Sequence, residues 1–183
     1  EFVDGHEFSL EGYCQHGVPH IVGIHEKTAM ELPFFMETGD YIPSRINEEQ
    51  KNSLIRATEA VLIVLGVKDS LFHVEAKLTR MGPKIIEVAS RMGGDYTHKN
   101  IEQIYGVEMV KTGAEVALGA NAEAKPSEPK KYIMGKFFIP KTSGVINKIS
   151  GFDDIKKDPR VLDYYLHKKV GDTVSIPPDG YEN

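Results

Sequence analysis

The sequence predicts an α+β fold built on a mostly antiparallel sheet. Three observations carry that prediction: two pairs of alternating segments joined by short turns, two long segments with helical apolar periodicity, and a closing stretch of short strand-like runs. Residues 6–14 and 18–27 alternate and are joined by Gln15-His16-Gly17, a hairpin signal. The first of these strands sends Glu7, Ser9, Glu11 and Tyr13 to one side and Phe8, Leu10, Gly12 and Cys14 to the other. Residues 28–47, punctuated by Pro33, Gly39 and Pro43, read as irregular. Asn47 with Gln50 three residues on is a capping-box pattern that opens a helix to about Leu65, with Gly66 as its stop. Leu54, Ile55, Ala57, Val61, Val64 and Leu65 are its apolar stripe.

A second hairpin occupies about 71–90, with its turn at 79–83. A second long helix is predicted from near Asn100 to Gly119, with Ile101, Ile104, Val107, Val110, Ala114, Ala117 and Leu118 on its apolar face. The polar stretch Asn121–Lys131, with two prolines, reads as a loop or linker. Tyr132–Pro140, Gly144–Ile149 and Thr173–Ile176 then read as strands, with helices at Phe152–Lys157 and near Pro159–His167 between them. This divides the chain into 1–119, a linker at 120–131, and a β-rich portion at 132–183.

The bulk numbers exclude several classes. A net charge of −5 argues against a broad nucleic-acid or anionic-membrane surface. No run approaches the roughly 20 apolar residues that span a bilayer. The single cysteine, Cys14, permits no intrachain disulfide framework and suits a reducing cytoplasm. The chain opens in strand-like sequence without Met and stops just after a turn signal at Asp179-Gly180, which reads as a piece of a longer protein.

Chemistry concentrates in the second hairpin. Leu71, His73, Glu75, Lys77 and Thr79 share one face, and Ile85, Glu87 and Ala89 go together on the return strand, so Glu75 lies across from Glu87. Like charges directly opposite destabilise a sheet. A divalent cation carrying phosphates would reverse that cost, and Mg²⁺ usually takes one or two carboxylates plus water and phosphate oxygens. Arg91 continues the parity, and a fixed planar cation suits a transferring phosphoryl group. Gly93 and Gly94 allow close backbone approach to a ligand. An exposed strand face balanced by Lys77 and Lys84 accounts for the same spacing, so both readings stand at this point.

The order Glu–turn–Glu-x-x-x-Arg-x-Gly-Gly resembles the ATP-grasp superfamily, most closely its carboxylate–amine ligases of the L-amino-acid ligase type. Ile85-Ile-Glu-Val-Ala-Ser-Arg-Met-Gly-Gly-Asp95 looks like the segment carrying that family's second metal-binding acid. Glu1-Phe-Val-Asp-Gly-His-Glu-Phe-Ser-Leu-Glu11 resembles the strand after its lid, where the backbone near Glu1 and Val3 would meet adenine and Glu7 the ribose hydroxyls. Val22-Gly-Ile-His-Glu-Lys27 and Phe34-Phe-Met-Glu-Thr-Gly-Asp-Tyr-Ile-Pro-Ser44 resemble the lining of its acceptor pocket, which makes Glu37 and Asp40 substrate contacts. Ala89 stands where many relatives have a metal-coordinating Asn, His73 where some have Arg, and Asp40 where the amino-acid ligases tend to have His.

The resemblance implies the C-terminal half of an ATP-grasp fold, without its lid and N-terminal domain, followed by a truncated β-rich portion. It implies ATP and Mg²⁺ (or Mn²⁺) as cofactors, with Glu75 and Glu87 on the metal, Arg91 as the catalytic cation, and Gly93 and Gly94 near the substrate. Small carboxylate and amine substrates would be joined through an acyl phosphate by a cytoplasmic enzyme, with a homodimer among its assemblies. A bicarbonate-activating enzyme, or a nucleotide-binding fragment without turnover, are the competing readings. Of the remaining residues, Glu11 reads either as a ligand contact or as an exposed strand carboxylate. Glu26 and Lys27 read as a salt-bridged rim, and His20, His25, His98 and His167 show no metal-ligand spacing.

Overall fold

The computed structural model describes residues 1–28 and 36–180. Strands β1 (His6–Gln15) and β2 (Val18–Lys27) form the first hairpin. Gln15 pairs with Val18, so the turn is the two-residue His16–Gly17, both at positive φ, rather than the three-residue connection expected. The segment expected to be irregular holds a further strand, β3 (Gly39–Ile42), which pairs with the end of β2; residues 34 and 35 of the predicted pocket segment lie outside the described residues. Helix α1 (Glu48–Val64) follows, with its capping box formed: Gln50 N donates to Asn47 Oδ1 at 2.9 Å, and Asn47 N donates to Gln50 Oε1 at 3.2 Å.

The carboxylate hairpin is β4 (Ser70–Thr79) and β5 (Gly82–Ala89). Its turn is shorter than the expected 79–83, because Thr79 pairs with Gly82. Carried straight down the strands, that register would set Glu75 opposite Ile86. A β-bulge between Glu75 and Ala76 steps the pairing by one, and Glu75 comes to lie opposite Glu87. The predicted pairing of the acids is correct, though it is reached by a different turn.

The second long helix is two helices, α2 (Thr97–Tyr105) and α3 (Met109–Ala117). Gly106 ends the first at φ 72°, the left-handed conformation that a C-terminal glycine supplies. Strand β6 (Ile133–Lys136) completes a six-stranded sheet of order β5-β4-β1-β2-β3-β6. One compact unit comprises Glu1–Ala29 and Gly39–Lys136. The 120–131 stretch is fastened within it: Gln15 Nε2 donates to Ala120 O at 2.6 Å, and Ser127 N donates to Tyr105 O at 2.9 Å. The division therefore falls near Lys136, after the stretch read as a linker.

The two faces of this sheet differ in kind. Phe8, Leu10, Ile24 and Ala76 form a buried cluster with Leu54 of α1, and Cys14, Phe72 and Val74 form another with Leu62. Each fully buried Leu or Phe is worth about 1.5–3 kcal/mol, so α1 is held chiefly by this face. The buried positions of α1 are Leu54, Thr58 and Leu62, whereas Val64 is 84% and Leu65 59% exposed, so the predicted stripe ends a turn too late. On the opposite face, Tyr13 and Val22 pack against Ile101, Ile104, Met109 and Val116 of α2 and α3. Gly23 admits Tyr105 there, since a Cβ would lie 3.0 Å from its ring. The helices cover that end, and the polar side chains occupy the remainder of the same face.

The second unit, Met30–Thr38 with Phe137–Asn183, contains the pair β7 (Gly144–Val145) and β8 (Thr173–Val174), and α4 (Phe152–Lys157). Its strands are shorter than predicted. The helix expected near Pro159–His167 does not form; Tyr164 instead meets the Phe152 ring edge-on at 5.0 Å.

Candidate active site

The site begins with the alternation of β1. Glu7, Ser9 and Glu11 share a face, and β4 brings Lys77, Glu75 and His73 beside them in that order. From β2, His25 pairs with Ser9, and Lys27 has the same parity. The result is a ladder of ionisable side chains across adjacent strands, which a sheet tolerates when signs alternate. Here they do.

Lys27 Nζ donates to Glu75 Oε1 at 2.5 Å and lies 3.1 Å from Glu7 Oε1. Lys77 Nζ lies 3.6 Å from Glu7 Oε2 and donates to Val3 O at 3.2 Å. His73 stands between two acids, with Nδ1 2.5 Å from Glu11 Oε1 and Nε2 3.3 Å from Glu75 Oε1. Both ring nitrogens can donate only in the imidazolium. Burial works against that charge, but Glu11 and Glu75 outweigh it and push His73 up to about 9. The hydrogen bond from His73, joined by Lys27 and opposed by burial, holds Glu75 down to about 2.

Glu87, directly across from Glu75, is 55% exposed at its side chain and lies 3.8 Å from Arg91 Nη2. Arg91 also donates to Met92 O at 2.9 Å. Among the described residues, the donors that meet Glu75 do so on Oε1. Glu75 and Glu87 are the two carboxylates that the register of β4 and β5 sets opposite each other. No group of three or more His, Cys, Asp or Glu among the described residues is arranged to hold a metal unaided. Two carboxylates suit Mg²⁺ all the same, since phosphate oxygens and water complete its shell. A surface groove of about 330 Å³ opens beside Arg91, lined also by Leu71 and Gly113, and includes neither acid.

Other predicted residues fall in varied settings. Glu1 is exposed and Val3 half-buried. Asp40 is buried, with Oδ2 hydrogen-bonded to His25 Nδ1, and His25 Nε2 is buried with no partner among the described residues. Glu37 is half-buried and belongs to the second unit. Gly93 does make a close approach, but to the protein: a Cβ there would lie 2.8 Å from Glu11 Oε1 and 2.7 Å from Thr97 Oγ1. A Cβ at Gly94 would meet nothing within 4 Å.

Glu11 is neither exposed nor free for a ligand. It is 1% exposed, paired with His73, and accepts a hydrogen bond from Gly93 N at 3.3 Å. Of the predicted rim pair, Glu26 does form an ion pair, with Arg45, whose N and Nη2 each donate to it at 2.7 Å; Lys27 turns to the acids instead. His25, given no role from spacing, is the partner of Asp40. Strand parity was the available signal, because His25 and Lys27 lie on the face that β1 fills with acids.

A family model described as the ATP-grasp domain matches residues 1–99, and one described as L-amino acid ligase C-terminal domain 2 matches residues 136–183. The chain belongs to the ATP-grasp family. Among relatives of this ATP-grasp chain, carnosine synthase 1 of Homo sapiens is 32% identical over 130 residues, 71% of this chain and 16% of that protein. Alanine–anticapsin ligase of Bacillus subtilis (strain 168) is 32% identical over 104 residues, covering 56% of this chain and 22% of the relative. The chain thus spans only a minor part of the length of these relatives. Its fold matches an L-amino acid ligase from Bacillus licheniformis with a TM-score of 0.88 at 24% identity, over 97% of this chain and 44% of the other. It also matches a phosphoribosylglycinamide synthetase from Anaerococcus prevotii, with a TM-score of 0.77 at 20% identity, over 96% of this chain and 45% of the other.

Proposed function

We propose that this chain carries the metal and phosphate end of an ATP-dependent ligase that joins a carboxylate to an amine, with an amino acid among its substrates. The observation that carries the reading is the placement of Glu75 directly opposite Glu87, with Arg91 beside Glu87. The family match and the names of the relatives, a synthase and a ligase, support the reaction class. In the proposed reaction the substrate carboxylate attacks the γ-phosphorus of ATP, giving an acyl phosphate and ADP. The amine then adds to the acyl carbon and expels phosphate, forming the amide.

Little covalent work falls to the protein, so placement and charge decide the rate. Bound Mg²⁺ would supply charge neutralisation on the phosphates, held by Glu75 and Glu87. Arg91, 3.8 Å from Glu87 Oε1, would meet the transferring phosphoryl group. Glu7, held by Lys27 and Lys77, would accept from the ribose hydroxyls, and the Glu1–Val3 backbone would border adenine. Asp40 is assigned to the amino-acid substrate, and Gly94, where a Cβ would meet nothing within 4 Å, to the border of its pocket. We assign the phosphate chemistry to the first unit. No helix among the described residues is long and apolar enough to cross a membrane; a cytoplasmic setting is proposed on the single cysteine, Cys14, which permits no intrachain disulfide.

The test is release of ADP and phosphate by the intact protein across pairs of amino acids, with Glu87→Gln beside it. That variant is expected to lose metal-dependent turnover by at least about a hundredfold. Wild-type turnover in Glu87→Gln would remove the metal role, and release that no amine accelerates, with no amide formed, would exclude ligation.

A further inference from the structure

A continuous run of contacts joins the loop after Arg91 to the acid assigned to the metal. Gly93 N donates to Glu11 Oε2; Glu11 Oε1 faces His73 Nδ1; His73 Nε2 faces Glu75 Oε1. Every link is buried or half-buried. Glu11 sits on β1 and His73 on β4 as register partners, so the bridge crosses two rigid strands rather than a loop. Neither residue has a place in the chemistry described above.

We propose that Glu11 and His73 form a positioning bridge that fixes the orientation of Glu75 and, through the Gly93 amide, the loop that follows Arg91. His73 and Lys27 both meet Glu75 at Oε1, so the carboxylate is tied at one oxygen from two sides, on the strand position that pairs with Glu87. The carboxylate is thereby fixed before any ligand arrives, so none of its ordering cost falls on binding. At the other end, Glu11 satisfies the Gly93 amide. Residue 93 must be glycine for this, because a Cβ would collide with both Glu11 oxygens at 2.8 and 2.9 Å. One buried unit thus holds the metal acid and the backbone two residues beyond Arg91 in a single arrangement.

What Glu75 holds rests on the ligase reading; the bridge itself does not. Two measurements on the whole chain separate them: Mn²⁺ binding followed by electron paramagnetic resonance, and amide hydrogen exchange at Gly93. His73→Gln contacts neither Gly93 nor Mn²⁺, yet it is expected to weaken Mn²⁺ binding about tenfold or more and to speed Gly93 exchange about tenfold. Glu11→Gln is expected to do the same, and the double variant to show an effect well short of the product of the two. Unfolding midpoints of the variants identify any that has lost its fold, and His73→Asn then replaces His73→Gln. Gly93 exchange unchanged in a folded His73 variant would overturn the bridge, as would Mn²⁺ affinity equal to wild type. A wild-type chain that binds no Mn²⁺ but still shows the exchange effect would support the bridge while removing the metal role of Glu75.

Discussion

Lys27 and His73 place two positive groups on the same oxygen of Glu75, and this fixes how the charged face responds to pH. His73 is raised from 6.5 to about 9, so its contribution to stability is complete below 6.5 and is lost as pH rises through 9. Glu75 is lowered from 4.5 to about 2, so its contribution is complete above 4.5 and is lost as pH falls toward 2. In EDTA, resistance to urea should therefore level off between about 4.5 and 6.5 and decline on both sides, as far as these groups set it. His73→Gln should flatten the alkaline limb. A limb just as steep in that variant would assign the titration to another group. Direct readout of such pairs from sequence was out of reach, because Lys27 and Glu75 are 48 residues apart. The parity that put Glu7, Glu11 and Glu75 on shared faces was legible; which cation would answer which acid was not.

At the scale of elements, local rules held where the signal was local. Asn47 and Gln50 announced α1, and the capping box formed as read. The late end of its apolar stripe was misjudged, because periodicity alone cannot say where the sheet beneath the helix stops. Leu54→Ala should accordingly cost about 2–5 kcal/mol, whereas Val64→Ala should stay within about 0.5 kcal/mol. Equal losses in denaturant titrations would mean that α1 packs along its full length. The split between α2 and α3 at Gly106 was visible as a glycine, but a glycine inside a periodic run is tolerated often enough to be passed over. β3 escaped notice for another reason: four residues carry too little alternation, and β2 and β6 on either side supply its pairing. A similar tertiary demand acts at Gly12, where a Cβ would lie 2.1 Å from His20 O and 2.6 Å from the Phe72 ring. Gly12→Ala should cost about 1–3 kcal/mol or more by overpacking, and a variant as stable as wild type would show that the register shift between Glu11 and Gly12 in the β1–β2 pair can move to admit it.

Taken whole, the first unit separates its tasks by face: α1 covers an apolar side, and the other side gives one end to α2 and α3 and the rest to charge. Residues distant in sequence, from Val3 to Gly93, meet in that charged remainder. In the proposed reaction the phosphates join Glu75 to Glu87 only with a divalent ion between them, so neither component should stabilise the fold fully alone. Ligand at a hundredfold its dissociation constant adds about 2.7 kcal/mol. For a chain of this size each kcal/mol moves Tm by roughly 2–4 °C. ADP with Mg²⁺ should then raise Tm by about 5–10 °C, and ADP in EDTA by less than half as much. Glu75→Gln should cut the Mg²⁺-dependent part and leave the shift in EDTA nearly intact, because the ribose and adenine contacts assigned to Glu7 and the Glu1–Val3 backbone are untouched. An equal Tm shift with and without the metal would mean that the nucleotide is held by its nucleoside end alone, and that the facing acids serve only the sheet.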